Sequence, residues 1–156
     1  MEASSAKMQA TPDTAIVWQA GSLYLLDQRL LPAKANYLQL NSAEAVADAI
    51  RQMVVRGAPA IGITAAYGVV LAARNAYAEH AEDWKRGMAS GLERLQQSRP
   101  TAVNLFWALQ RMQSLIDQLA TDANPEPALL QEALAIHAAD ISDNRRMGEL
   151  GAALIE

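Results

Sequence analysis

The residues best suited to chemistry lie between two predicted helices, at Arg56-Gly57-Ala58-Pro59. The first N–H groups of a helix have no partner inside the helix, and the helix dipole places partial positive charge at that end. Gly57 and Ala58 let a ligand approach the backbone closely, and the planar guanidinium of Arg56 suits a phosphate. The junction is therefore predicted to bind an anion, although it lacks the GxxxxGKS/T pattern of a Walker loop. The expected backbone donors are the N–H groups of Gly57, Ala58, Ala60 and Ile61.

A second junction of the same design occurs at Arg99-Pro100-Thr101, where an arginine again precedes a helix that proline can open. Two arginines at two helix starts can hold one phosphate from two sides, so Arg56 and Arg99 are predicted to face one shared concavity. The alternative is that glycine and proline only mark the ends of helices, and that each arginine pairs with a carboxylate. The residues alone leave both alternatives open.

The elements that must position these junctions follow from composition and periodicity. Alanine and leucine, both strong helix formers, supply about a third of the 156 residues. Residues 16–19 and 22–27 are short β-rich runs on either side of Ala20-Gly21, which is typical of a hairpin, and residues 36–40 are a third extended segment. The predicted fold class is α+β and predominantly helical: an N-terminal antiparallel β-hairpin or meander followed by a bundle of about five helices.

The helix that begins near Pro59 is expected to run to about Tyr77 and to be the most buried, because its surface is uniformly small and apolar. The helix before it is expected to start at Asn41, which with Glu44 has capping-box spacing. The last helical stretch is expected to break near Ser142 and to expose some of its apolar positions.

Composition excludes several classes of protein. A formal charge of −4 argues against non-specific nucleic-acid binding, and the absence of cysteine excludes a thiolate zinc site and a cysteine nucleophile within these residues. The apolar run 58–73 is shorter than a membrane-spanning helix, and the first 15 residues lack the apolar core of a signal peptide. We therefore expect a single cytoplasmic domain without a metal site or a membrane partner.

Four segments resemble one family. Residues 50–62, continued by residues 65–68, resemble the signature of the methylthioribose-1-phosphate isomerase family, and residues 98–105 resemble its second signature. Residues 23–32 and 143–148 are also similar to that family. The related regulatory subunits of the translation-initiation exchange factor share the fold, but their resemblance to this sequence is weaker.

The resemblance implies an aldose–ketose isomerase of methionine salvage, which converts 5-methylthioribose 1-phosphate into 5-methylthioribulose 1-phosphate without a metal or organic cofactor. Carried over to the matching positions, it implies substrate binding by Arg56, Gly57, Ala58 and Arg99. The family places a catalytic cysteine and a catalytic aspartate in a second, Rossmann-like domain. We therefore expect residues 1–156 to be the N-terminal domain, without that domain, without a catalytic residue and without isomerisation on its own. For the intact enzyme we expect a homodimer with a small sugar phosphate as its ligand.

Other assignments stay open at this stage. The substrate can instead be ribose 1,5-bisphosphate or 5-deoxyribose 1-phosphate, and the chain can instead be a non-catalytic module that senses a sugar phosphate or nucleotide. His137 is interpreted as a core or interface residue, because it lies on the apolar face of the last helix, and His80 as a solvated loop residue. Asp140 and Asp143 are interpreted as polar-face residues of the last helix.

Overall fold

The computed structural model describes residues 10–155 and begins with a three-stranded antiparallel sheet of order β1-β2-β3. The strands are β1 (Ile16–Gln19), β2 (Ser22–Leu26) and β3 (Tyr37–Leu40). Gln19 pairs with Ser22 across the β1–β2 turn, and both turn residues, Ala20 and Gly21, have positive φ, of 51° and 74°. Positive φ at both positions is the requirement of a type I′ hairpin, which matches the twist of the strands. The predicted hairpin is confirmed and extended to a meander.

Helices make up most of the described chain after the sheet. They are α1 (Ala43–Arg51), α2 (Ala58–Glu79), α3 (Trp84–Gly87), α4 (Ala89–Ser98), α5 (Val103–Gln118) and α6 (Glu126–Ala152). The α+β, predominantly helical class is confirmed, with α3 a single turn separated from α4 at Met88. Ser42 rather than Asn41 caps α1, since its side chain accepts from the N–H of Ala45. The break expected near Ser142 is wrong: α6 is continuous there, and Asn144 donates to Asp140 one turn earlier at 3.2 Å.

Helix α2 is the centre of the core. Every residue from Ile61 to Ala73 is buried, and α2 contacts α1, α3, α4, α5 and α6. Its small residues let the neighbouring helices approach closely. A Cβ added at Gly62 would lie 2.7 Å from the backbone oxygen of Asn104, the second residue of α5. The prediction that α2 is the most buried helix is confirmed, and the starts of α2 and α5 are adjacent.

The segment after β2 is tied to the loop before α2. Asp27 is 3% exposed, and its two carboxylate oxygens accept from Nε and Nη2 of Arg29 at 2.8 and 2.7 Å. The Arg29 guanidinium therefore lowers the pKa of the Asp27 carboxyl. The next residue, Gln28, donates its N–H to the carbonyl of Val54 at 3.0 Å. These bonds fix the position of Gln28 beside the α1–α2 connection.

Helix α6 is buried only over its first half. Leu129, Ala133 and Ile136 are buried, whereas Met147 and Leu150 are both 62% exposed. The expected exposure of apolar positions along the last helix is therefore confirmed. Among the described residues, no helix has the length and apolar character needed to cross a membrane.

Candidate ligand-binding site

The connection between α1 and α2 has a backbone that only certain residues adopt. Gly57, the residue before α2, has φ 93° and ψ 135°. A Cβ at this position would have nothing within 4 Å, so it is the conformation and not the available space that favours glycine. Pro59 lies in the first turn of α2, where its missing N–H removes no helical bond. The chain thus turns sharply from Arg56 into the start of α2.

Three backbone N–H groups at this turn have no acceptor within residues 10–155: those of Gly57, Ala58 and Ala60. The N–H of Ile61 donates to the carbonyl of Gly57 at 3.0 Å, so the expectation that Ile61 is also a donor for a ligand is wrong. Ile61 is already one full turn into the helix and closes its first hydrogen bond. The donors for an anion are therefore three rather than four.

Arg56 is exposed and has no side-chain partner in the described part of the chain. Seven of the ten arginines in the sequence pair with an acidic side chain there, and the remaining three are Arg56, Arg99 and Arg146. The alternative that Arg56 and Arg99 each neutralise a carboxylate is thus wrong for the described chain. Both guanidinium groups keep their donors free for a ligand.

A cleft of about 510 Å³ opens beside the start of α2. Its wall combines the turn before α2 with a 3₁₀ turn (Pro12–Thr14), the segment after β2 and the middle of α6. The polar residues that line it are Asp13, Gln28, Arg56, His137, Asp140 and Asn144. Asp13 also pairs with Nη2 of Arg145 at 3.5 Å, which links the first turn to α6. The cleft therefore offers one unpaired cation together with carboxylate, amide and imidazole groups.

Arg99 lies just after α4, is half-buried, and is not among the residues that line this cleft. Helix α5 begins at Val103, because Arg99 to Ala102 form a turn in which the Ala102 N–H donates to the Arg99 carbonyl at 3.0 Å. The close approach of Gly62 to Asn104 brings the two helix starts together. That both arginines reach one phosphate stays a prediction.

His137 connects the cleft with the core. Its Nδ1 lies 2.8 Å from the hydroxyl of Tyr67, whose side chain is fully buried in α2. The Tyr67 ring stacks on Trp18 of β1, with the ring centroids 5.5 Å apart. Burial raises the pKa of Tyr67 to about 12 and lowers that of His137, while nearby Asp140 opposes the change at His137. His137 is interpreted from the sequence as a core or interface residue; it is half-buried, its Nδ1 is bonded to Tyr67, and it also lines the cleft.

Sequence reasoning did not identify the far wall of the cleft. Gln28 and Asn144 lie in segments 23–32 and 143–148, which were recognised only as family-like runs. Its position on the polar face of α6 does not predict that Asp140 is half-buried and lines the cleft. Within residues 10–155 there is no cluster of three or more His, Cys, Asp or Glu side chains arranged to hold a metal ion.

The sequence is similar to that of known proteins over most of its length. Residues 54–156 match a family model described as the initiation factor 2 subunit family. Proteins named methylthioribose-1-phosphate isomerase from Alkalilimnicola ehrlichii and Thioalkalivibrio sulfidiphilus are each 60% identical, over 141 and 143 residues. The matches cover 90% and 91% of this chain and 40% of each relative. The chain thus spans about 40% of the length of the curated relatives it matches, and the resemblance to the isomerase family is confirmed.

The solved structures that share the fold include the following two. One is 5-methylthioribose 1-phosphate isomerase from Pyrococcus horikoshii, with a TM-score of 0.82 and 39% identity, covering 89% of this chain and 40% of that one. The other is translation initiation factor eIF-2B, subunit delta, from A. fulgidus, with a TM-score of 0.82 and 37% identity, covering 91% and 42%. The same fold therefore occurs in an isomerase and in a translation factor.

Proposed function

The chain belongs to the initiation factor 2 subunit family, and from this premise we propose that it is the substrate-phosphate-binding part of an aldose–ketose isomerase. The proposed reaction converts 5-methylthioribose 1-phosphate into 5-methylthioribulose 1-phosphate, the substrate class named for the relatives. The observation that carries the proposal is the unpaired guanidinium of Arg56 beside three unpaired backbone N–H groups at the start of α2. An anion at a helix N-terminus gains from both the free donors and the helix dipole.

The phosphate is the group of such a substrate that a protein can bind most strongly. It carries two negative charges, whereas the sugar is neutral, so charge-assisted hydrogen bonds contribute most of the binding. Gly57 and Ala58 would donate from the backbone, and Arg56 would donate from its planar fork. Arg99 is proposed as the second arginine on the same phosphate. The cleft of about 510 Å³ is within the usual range for small-molecule sites.

The remaining polar groups of the cleft suit a polyhydroxylated ligand. Carboxylates such as Asp140 accept hydrogen bonds from sugar hydroxyls, and the side-chain amides of Gln28 and Asn144 can both donate and accept. The carboxylates of Asp13 and Asp140, which line the same cleft as Arg56, also disfavour a polyanion that would fill the whole cleft. The arrangement therefore supports a monophosphorylated sugar over a bisphosphate.

The chemical step moves a hydrogen from C2 to C1, so C2 is oxidised while C1 is reduced and no external oxidant is needed. We propose that the acid and base for this transfer are supplied by a Rossmann-like domain and not by residues 1–156, which are the N-terminal domain. The contribution of this chain is to hold the phosphate on C1, so that C1 and the adjacent C2 are oriented for the transfer.

A second candidate function is a non-catalytic regulatory module. The observation in its favour is that the A. fulgidus translation factor matches the chain with the same TM-score, 0.82, as the isomerase from P. horikoshii. The higher sequence identity to proteins named as isomerases favours the first candidate. A regulatory module of this kind would bind a nucleotide in preference to a pentose phosphate.

Calorimetric titration of the 156-residue chain with 5-methylthioribose 1-phosphate, inorganic phosphate and AMP tests the proposal. Charged hydrogen bonds contribute about 1.5–3 kcal/mol each, so Arg56→Ala should weaken binding of the sugar phosphate by about one to two decades. Arg56→Lys should restore little, because lysine keeps the charge and loses the fork. Arg146→Ala is the matched control, since Arg146 is also unpaired but does not line the cleft.

The outcomes separate the candidates. Binding of the sugar phosphate that Arg56→Ala weakens by about one to two decades and Arg146→Ala leaves unchanged supports the proposed site. Equal losses in both variants would mean that only net charge matters, and the site would be refuted. Preferential binding of AMP would favour the regulatory module.

A further inference from the structure

The Tyr67–His137 pair gives the cleft a donor of fixed direction. The Tyr67 side chain is fully buried, and the only described partner of its hydroxyl is Nδ1 of His137, at 2.8 Å. His137 is half-buried, and its ring lines the cleft that also contains Arg56. Since Nδ1 is engaged with the core, Nε2 is the ring nitrogen left for the cleft.

The proton arrangement follows from the requirement that buried polar groups be satisfied. If Nδ1–H donated to the tyrosine oxygen, the hydroxyl proton of Tyr67 would be left without an acceptor among the described residues, at a cost of about 1–3 kcal/mol. If the hydroxyl donates to a bare Nδ1, both groups are satisfied and the ring proton lies on Nε2. The second arrangement is the one that the contact favours.

The surroundings hold this arrangement. Stacking on Trp18, with the two rings inclined by 10°, fixes the plane of Tyr67 and hence the position of its hydroxyl. Burial raises the pKa of Tyr67 to about 12, so the hydroxyl stays protonated at neutral pH. Burial also lowers the pKa of His137, which favours the neutral ring with one N–H.

The position of His137 along the cleft indicates which part of a ligand it meets. The turn that carries Arg56 and Gly57 comes before α2, whereas His137 is bonded to Tyr67, nine residues beyond Ala58 on that helix. The Cα atoms of Ala58 and Tyr67 are therefore about 13.5 Å apart along the helix axis. This separation favours a contact of His137 with the sugar over a second contact with the phosphate.

We propose that His137 donates its Nε2–H to a sugar hydroxyl of the ligand whose phosphate is held at Arg56, and that Tyr67 is the positioning residue that sets this tautomer. The inference rests on the proposed function for the ligand class, and it adds a residue that distinguishes a sugar phosphate from inorganic phosphate. A neutral N–H donor suits a hydroxyl, because the hydroxyl can accept it while donating its own proton to a carboxylate such as Asp140.

The tautomer is tested without any ligand, by long-range ¹H–¹⁵N NMR spectra of the 156-residue chain. His80 and His137 are the two histidines of the sequence, and the exposed His80 is an internal reference. We expect His137 to carry its proton on Nε2, and we expect Tyr67→Phe to shift it toward the mixture shown by His80. Predominant Nδ1–H in the unmodified chain would overturn the inference whatever the ligand is.

The contact with the sugar is tested by calorimetry on His137→Ala and His137→Gln, whose urea midpoints are compared with that of the unmodified chain. A neutral hydrogen bond implies that His137→Ala weakens binding of 5-methylthioribose 1-phosphate by about 2- to 12-fold and leaves inorganic phosphate unaffected. His137→Gln, which keeps an N–H donor of similar reach, should recover part of the loss. Unchanged sugar-phosphate affinity in His137→Ala would refute the contact while the Arg56→Ala loss still stood. No loss in Arg56→Ala would refute the proposed function instead.

Discussion

The close contact between α2 and α5 makes Gly62→Ala a direct test of how the helix starts are held together. The added Cβ would lie 2.7 Å from the backbone oxygen and 3.2 Å from the carbonyl carbon of Asn104. Because the obstructing atoms are backbone, no side-chain rotation relieves the clash, and α5 must shift as a unit. Overpacking of this kind costs about 1–3 kcal/mol of stability.

Helix propensity acts in the opposite direction and is measured by a matched variant. Replacing glycine by alanine inside a helix gains about 1 kcal/mol. Gly148→Ala should show at most that gain, since a Cβ at Gly148 has nothing within 4 Å and Gly148 lies in the exposed half of α6. The steric cost of about 1–3 kcal/mol at Gly62 should therefore leave Gly62→Ala the less stable of the two variants.

Urea unfolding followed by circular dichroism measures both variants under one condition. The midpoint of Gly62→Ala should fall relative to Gly148→Ala with an unchanged slope, and thermal midpoints should differ by about 2–4 °C per kcal/mol. Equal midpoints would refute the reasoning, because α5 would then be free to move away from α2. In that case the adjacency of the two helix starts would not be a fixed feature of the site.

Two further predictions concern buried polar groups. Asp27→Asn should lower stability at pH 7. The loss should disappear as the pH falls through the lowered pKa of Asp27, since the carboxylate that pairs with Arg29 is then protonated. Urea midpoints measured across pH check this, with the same change at exposed Asp122 as the control. Thr64→Val should raise stability by about 1 kcal/mol, because the fully buried Thr64 hydroxyl has no partner among the described residues. Urea midpoints compared with those of exposed Thr121→Val measure the gain, and a drop in Thr64→Val alone would contradict it.

Most helices and strands of this fold are determined by residues within or next to them, which is why the sequence predicts them. Ala20-Gly21 permits the positive φ of the hairpin, and the glycine and proline around Ala58 fix the start of α2. Other boundaries were harder to predict. Gly87 directly precedes the separation of α3 from α4 at Met88, but a lone glycine inside an apolar stripe does not by itself end a helix. Helix α6 continues through Ser142 although residues 142–150 are exposed, so packing does not explain its continuity there.

The candidate site likewise has one part that local sequence predicts and one part that it does not. The Arg56 end could be predicted, because residue type and helix position alone determine where free N–H groups and a guanidinium meet. The opposite wall could not be predicted, since it forms only when α6 folds back over α2 and brings His137 and Asp140 next to the turn. The pairing of His137 with Tyr67 joins residues 70 positions apart, and no local pattern encodes it.

Helix α6 is geometrically continuous, but its two halves differ in their free energy of local opening. It runs for 27 residues, about 40 Å, yet its buried residues all lie in the first eleven, and every residue from Ser142 to Leu150 is exposed. Amides near Ile136 therefore open only when the whole domain unfolds, whereas those beyond Asn144 exchange through local fraying at a small free-energy cost. His137, Asp140 and Asn144 lie along the boundary between the two regimes. A ligand in the cleft would bind only when these three residues are in the helical, ordered state. Ligand binding would therefore stabilise this part of α6, and the segment that unfolds only with the whole domain would extend toward the end of the helix.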